Sequence, residues 1–172
     1  MHLPNILSAA RILVAPYLFL LLWRREYGWA LAVMLLAGIS DGVDGYLARH
    51  YEASSRLGAI LDPIGDKILL SGSFLVLAID RAIPLWLACI VLGRDALILL
   101  FAAGVLLFTK TRRSFPPTWW GKASTVCQIC FVLALLLHFT GFAPLWLVTL
   151  GIWLTAAFAA VSGVDYAVRF LK

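Results

Sequence analysis

Four aspartates occupy positions that are costly for an acidic side chain. Asp41 and Asp44 are three residues apart, and Asp62 and Asp66 are four apart, so on helices each pair shares one face. All four fall in stretches apolar enough to cross a bilayer, where each aspartate costs roughly 2.5–3.5 kcal/mol on insertion scales. Together they cost on the order of 10 kcal/mol, before their mutual repulsion. Carboxylate oxygens in that number suit Mg²⁺, Mn²⁺ or Ca²⁺, and the set holds no thiolate to favour zinc. Two divalent cations would neutralise four carboxylates and could clamp a pyrophosphate between them. Ion-paired packing beside Arg49, Arg56 and Lys67 is the plainer reading, but four acids on two neighbouring faces exceed what packing needs.

The flanking residues fit the same chemistry. Gly45, Ala48 and Gly58 are small and leave room for a ligand, and Arg49 carries a fork suited to phosphate oxygens. Pro63 and Gly65 predict loosened backbone, which is tolerated at membrane depth where it lines a cavity. Further along, Arg94-Asp95 sits inside another apolar stretch, either as a self-paired buried couple or facing a substrate. Lys122 is a candidate phosphate contact, although a lysine near a span end can also snorkel to the headgroups. Cys127 and Cys130 have C-x-x-C spacing, but no second pair or neighbouring histidine completes a zinc site.

The elements that must position these residues are membrane helices. Of the 172 residues, 63% are hydrophobic and 13% charged, an apolar excess that one water-soluble core of this size cannot hide. Segments of about 20 residues, the length needed to cross hydrocarbon, run over 4–23, 28–49, 57–79, 84–109, 118–138 and 144–166. The expected fold is therefore an all-α integral membrane protein of six transmembrane helices, forming a single domain over residues 1–172. A short connection, about 49–56, makes the second and third helices adjacent and antiparallel, with the polar metal site between them near the cytoplasmic face. Arg49, Arg56, Lys110, Arg112, Arg113, Arg169 and Lys172 favour cytoplasmic termini under the positive-inside rule, against Arg24, Arg25 and Arg81 outside. The net charge of +5 suits anionic headgroups or phosphates. No basic run alternates with aromatics, which argues against nucleic acid.

Taken as a string, the aspartates and their neighbours read Asp41-x-x-Asp44-Gly45-x-x-Ala48-Arg49, eight residues, Gly58, three residues, Asp62, three residues, Asp66. This resembles the signature of the CDP-alcohol phosphatidyltransferase family at every fixed position. The resemblance extends through Pro4-Asn5 and Arg11 to Pro117-Thr118 and Gly121-Lys122-x-x-Thr125. It implies six membrane helices in a multi-pass protein of the bacterial inner membrane, often a homodimer. By the same resemblance Asp41, Asp44, Asp62 and Asp66 hold two Mg²⁺ or Mn²⁺ ions, and Asp66 is also the base. Gly45, Ala48, Arg49 and Gly58 would receive the CDP-lipid, CDP-diacylglycerol, and Arg94, Asp95 and Lys122 are candidates for the acceptor or its phosphate. Family members that use glycerol 3-phosphate usually read Gly-Lys-x-Lys-Thr, where this chain has Ser124, and Arg-Glu, where it has Arg94-Asp95. Phosphatidylglycerol is thus the expected acceptor and cardiolipin the product, with glycerol 3-phosphate the alternative. A divalent-cation transporter would instead need acids deep in several spans and a path to both faces.

Overall fold

The computed structural model describes the backbone of residues 3–51, 58–108 and 118–170, and the side chains of 13–40, 67–100 and 118–168. Among the described residues six helices follow one another: α1 (Leu3–Trp23), α2 (Tyr27–Tyr51), α3 (Gly58–Ile79), α4 (Leu85–Phe108), α5 (Trp119–Phe139) and α6 (Leu145–Phe170). No strand occurs among the described residues. The expected spans match within two residues at every end but the last, where α6 runs on to Phe170. The shortest helices, α1 and α5 at 21 residues, are about 32 Å long, enough to cross hydrocarbon about 30 Å thick. Two helices, Trp119–Phe139 and Leu145–Val168, are both long and apolar enough to do so by their described residues alone.

Three tight turns share one construction. Glu26, Ala82 and Phe142 each donate a backbone N–H to the carbonyl five residues back, and Arg25, Arg81 and Gly141 to the one three back. Arg25, Arg81 and Gly141 adopt φ of 59°, 60° and 85°. This is the double-bonded left-handed cap that ends a helix and satisfies its last carbonyls. The turns meet at one end of the bundle. Arg25 donates to Asp80 at 2.8 Å, and Tyr27 stacks on Phe139 with centroids 4.3 Å apart. We call this the turn end. Positions 41, 44, 62 and 66 lie on the opposite halves of α2 and α3.

The packed pairs form a closed circuit, α1 on α3, α3 on α4, α4 on α6, α6 on α5, α5 on α2, and α2 on α1. Among the described residues α2 and α3 share no extended interface. Both lie along α1, and the halves of α2 and α3 expected to adjoin lie outside the residues whose side chains are described. Small buried residues such as Ala15, Ala30, Ala88 and Ala159 let the helix axes approach. Phe74 of α3 and Phe131 of α5 meet at 5.8 Å in the core, both almost wholly buried.

The distribution of polarity is the reverse of a water-soluble bundle. Ser73, Arg94, Asp95, Ser124, Gln128, Thr155 and Ser162 are buried, while Leu36, Ile39, Leu100, Trp153 and Val164 stand exposed. An apolar exterior of that extent is an interaction surface, and lipid is what suits it on all sides. Trp23, Trp29, Trp86 and Trp146 are exposed at the turn end and Trp119 and Trp120 at the other, as two interfacial belts would be.

Candidate active site

Asp41, Asp44, Gly45, Ala48, Arg49, Gly58, Asp62 and Asp66 lie outside the residues whose side chains are described. What the fold gives for them is backbone register. α2 and α3 are each one uninterrupted helix through these positions, so positions 41 and 44 share one face and 62 and 66 another. α3 also stays helical through Pro63 and Gly65, where the sequence predicts loosened backbone.

Those faces lead to a cavity of about 140 Å³ between α2, α3, α4 and α5. Ala37 and Gly38 border it from α2, four and three residues before position 41. Leu69 and Leu70 border it from α3, three and four residues after position 66. The cavity therefore sits one helical turn, about 5 Å, nearer the turn end than the aspartate positions on both helices. Its polar lining comes from Lys67, Asp95, Thr125 and Gln128.

Arg94 and Asp95 are buried and bonded to each other, Nη1 to Oδ1 at 2.6 Å. The remaining guanidinium nitrogens are engaged too. Nε donates to Ser162 Oγ at 3.1 Å, and Nη2 to the same oxygen at 3.0 Å and to the Gly121 carbonyl at 3.1 Å. Ser71 of α3 donates to the other Asp95 oxygen at 2.8 Å. One ion pair thus joins α4 to α3, α5 and α6, and only Asp95 of the two borders the cavity. Satisfaction of both partners is what makes so deep a charge pair tolerable.

The start of α5 is fixed by the residues around Gly121. Thr118 caps the helix, its hydroxyl accepting from the Gly121 N–H at 3.0 Å. A Cβ on Gly121 would lie 3.2 Å from both the Thr118 and Tyr166 oxygens, so glycine is what fits against α6. Lys122 follows, exposed, and sits three residues before Thr125 on the face that reaches the cavity.

Sequence reasoning passed over two residues here and took a third, Lys67, only as an ion-pair partner of the aspartates. Gln128 and Ser162 had no signal, being single polar residues in apolar helices. Lys67 was legible, as a cation directly after Asp66. Its ammonium is buried without a hydrogen-bond partner among the described residues. No group of three or more His, Cys, Asp or Glu gathers among the described residues, and the four signature aspartates lie outside them.

The sequence model of the CDP-alcohol phosphatidyltransferase family matches residues 1–161, from the start of the chain into α6. The chain belongs to this family. The family is membrane-associated and generally uses divalent metal ions, and the donor set of four carboxylates fits such ions. The chain is 38% identical over 132 residues to the CMP-forming cardiolipin synthase of Streptomyces coelicolor, a match covering 72% of this chain and 59% of that protein. It is 32% identical over 143 residues to the CDP-diacylglycerol–glycerol-3-phosphate 3-phosphatidyltransferase of Pseudomonas fluorescens, covering 79% and 72%. The chain spans about three fifths of the length of the first of these relatives.

Proposed function

We propose that this chain transfers the phosphatidyl group of CDP-diacylglycerol to the hydroxyl of phosphatidylglycerol, giving cardiolipin and CMP. The observation that carries the transfer chemistry is the eight-position signature on the far halves of α2 and α3, with its two faces leading to one cavity. The acceptor rests on Ser124 and on Arg94-Asp95, which depart from the pattern of glycerol 3-phosphate users. The similarity to the Streptomyces enzyme supports it as well.

In this reading Asp41, Asp44, Asp62 and Asp66 hold two divalent ions, Mg²⁺ or Mn²⁺. Such ions, when bound, neutralise the pyrophosphate and the charge on departing CMP. Gly45, Ala48, Arg49 and Gly58 receive the cytidine diphosphate. Asp66 takes the proton of the acceptor hydroxyl, whose oxygen forms the new bond to the phosphorus bearing diacylglycerol as the bond to CMP breaks. Lys122, beside the aspartate end, contacts phosphate. Arg94 is a positioning residue that holds Gly121 and so fixes where Lys122 stands, and Asp95 faces the acceptor across the cavity. All six helices cross the bilayer, with both termini and the site on the cytoplasmic face of a bacterial inner membrane, and the protein forms a homodimer.

Purified protein incubated with CDP-diacylglycerol and either acceptor decides the matter. CMP and cardiolipin should appear with phosphatidylglycerol, and EDTA should stop both. Product with glycerol 3-phosphate alone would establish the second reading, which the Pseudomonas relative favours. No CMP with either acceptor would revive the cation transporter.

A further inference from the structure

Lys67 is the cation that the reading above leaves unused. Its ammonium is buried beside the cavity without a partner among the described residues, an expensive state for an isolated charge. Asp95 borders the same cavity, but both its oxygens are taken, by Arg94 at 2.6 Å and Ser71 at 2.8 Å. Arg94 and Asp95 cancel, so among the described residues the Lys67 ammonium is an uncompensated positive charge enclosed beside the cavity.

The rest of the wall narrows the choice of anion. Gln128, almost wholly buried, gives an amide N–H to Ser124 at 3.4 Å, which leaves its carbonyl oxygen to accept from a hydroxyl. Met34, Leu69, Leu70 and Ile129 supply apolar surface. Gly38 and Ile129 border the cavity and are also exposed, so its wall on α2 and α5 reaches the bundle's lipid-facing exterior. Its volume of about 140 Å³ equals roughly five waters at about 30 Å³ each. That holds the phosphate of a headgroup and leaves the rest of the lipid outside.

We infer that this cavity is a subsite for the phosphate of a lipid acceptor's headgroup, with the Lys67 ammonium paired to it. One fixed cation matches the single charge of a phosphodiester, and a wall that reaches the lipid-facing exterior lets the headgroup arrive with its chains still in the membrane. The aspartate positions are one turn away, within reach of the headgroup's free hydroxyl. The inference deepens the acceptor reading above and rests on it.

The test compares the wild-type chain with Lys67→Met and Lys67→Arg in detergent, by thermal unfolding and by CMP release. Removing an unpartnered buried charge should raise the melting temperature of the lipid-free Lys67→Met protein. Phosphatidylglycerol should stabilise the wild type and Lys67→Arg more than phosphatidylcholine does, and Lys67→Met equally little with either. In turnover, Lys67→Met should raise the KM for phosphatidylglycerol about tenfold to a hundredfold, as loss of a charged hydrogen bond does. The KM for CDP-diacylglycerol should stay within about twofold, less than one ordinary hydrogen bond is worth. A destabilised Lys67→Met would mean that the lysine has a structural partner, and the subsite would fall. It would fall equally if glycerol 3-phosphate alone gave the Lys67-dependent shift, or if the KM for the CDP-lipid rose instead. Absence of CMP with phosphatidylglycerol, alongside a Lys67-dependent shift by that lipid, would sink the acceptor reading and leave the subsite standing.

Discussion

Asp66 carries two assignments, metal ligand and base, and one substitution weighs them against each other. Asp66→Asn keeps the volume and removes the proton acceptor. Turnover should fall by about 10²–10⁴, the usual worth of a positioned base, while the KM for CDP-diacylglycerol changes little. Steady-state CMP release measures both, and near-native turnover would remove Asp66 from the mechanism. Arg94 answers to a different readout. Arg94→Met leaves the Asp95 carboxylate buried with only Ser71, and breaking a buried pair in this way costs about 3–5 kcal/mol. A clearly lower melting temperature is expected, and an unchanged one would show that the pair does not hold the helices together. The signature aspartates were legible in sequence because carboxylates are so costly in apolar stretches that few explanations remain. The partners of Arg94 were not, since Gly121 and Ser162 lie 27 and 68 positions away and are unremarkable where they stand.

Helix ends were readable for a comparable reason. Each coincides with charge, proline or glycine, and α4 and α6 begin directly after Pro84 and Pro144, where a missing N–H does no harm. Helix neighbours were not readable. A short connection limits the distance between two helix ends, yet it says nothing of the packing of both α2 and α3 on α1. The three left-handed caps allow a test of local energetics. Gly141 has nothing within 4 Å of where a Cβ would stand, so Gly141→Ala carries only the conformational cost, about 1 kcal/mol. Arg81, exposed at φ 60°, is the reverse case, and Arg81→Gly should gain up to about 1 kcal/mol. Thermal unfolding of both variants checks the pair, and shifts of the same sign would mean that the caps are not the controlling feature.

At the scale of the molecule, an exterior of leucine, isoleucine and tryptophan around a polar interior fits lipid on all sides. Orientation is a separate matter, and it rests on charge bias alone. In a background where Cys89, Cys127 and Cys130 are replaced, a cysteine at Ser55 or Ser114 should react with an impermeant reagent from the cytoplasmic side. One at Gly141 should react from the outside. The opposite pattern would place the aspartate end away from where CDP-diacylglycerol is made.

The clamp around Arg94 also bears on the order in which the protein can be completed. A ribosome makes α4 before α5 and α6, so the guanidinium enters the membrane with Asp95 beside it but without Gly121 and Ser162. Until Ser162 has emerged, α4 holds two charges that its surroundings only half satisfy, and the earlier helices cannot close around it. α6, made after α5, is therefore the helix that locks α4 in place. A chain stopped at residue 143 should leave α4 open to water, so that a cysteine at Val91, wholly buried in the full chain, becomes alkylated. Equal protection in the two chains would mean that α4 settles before α6 exists.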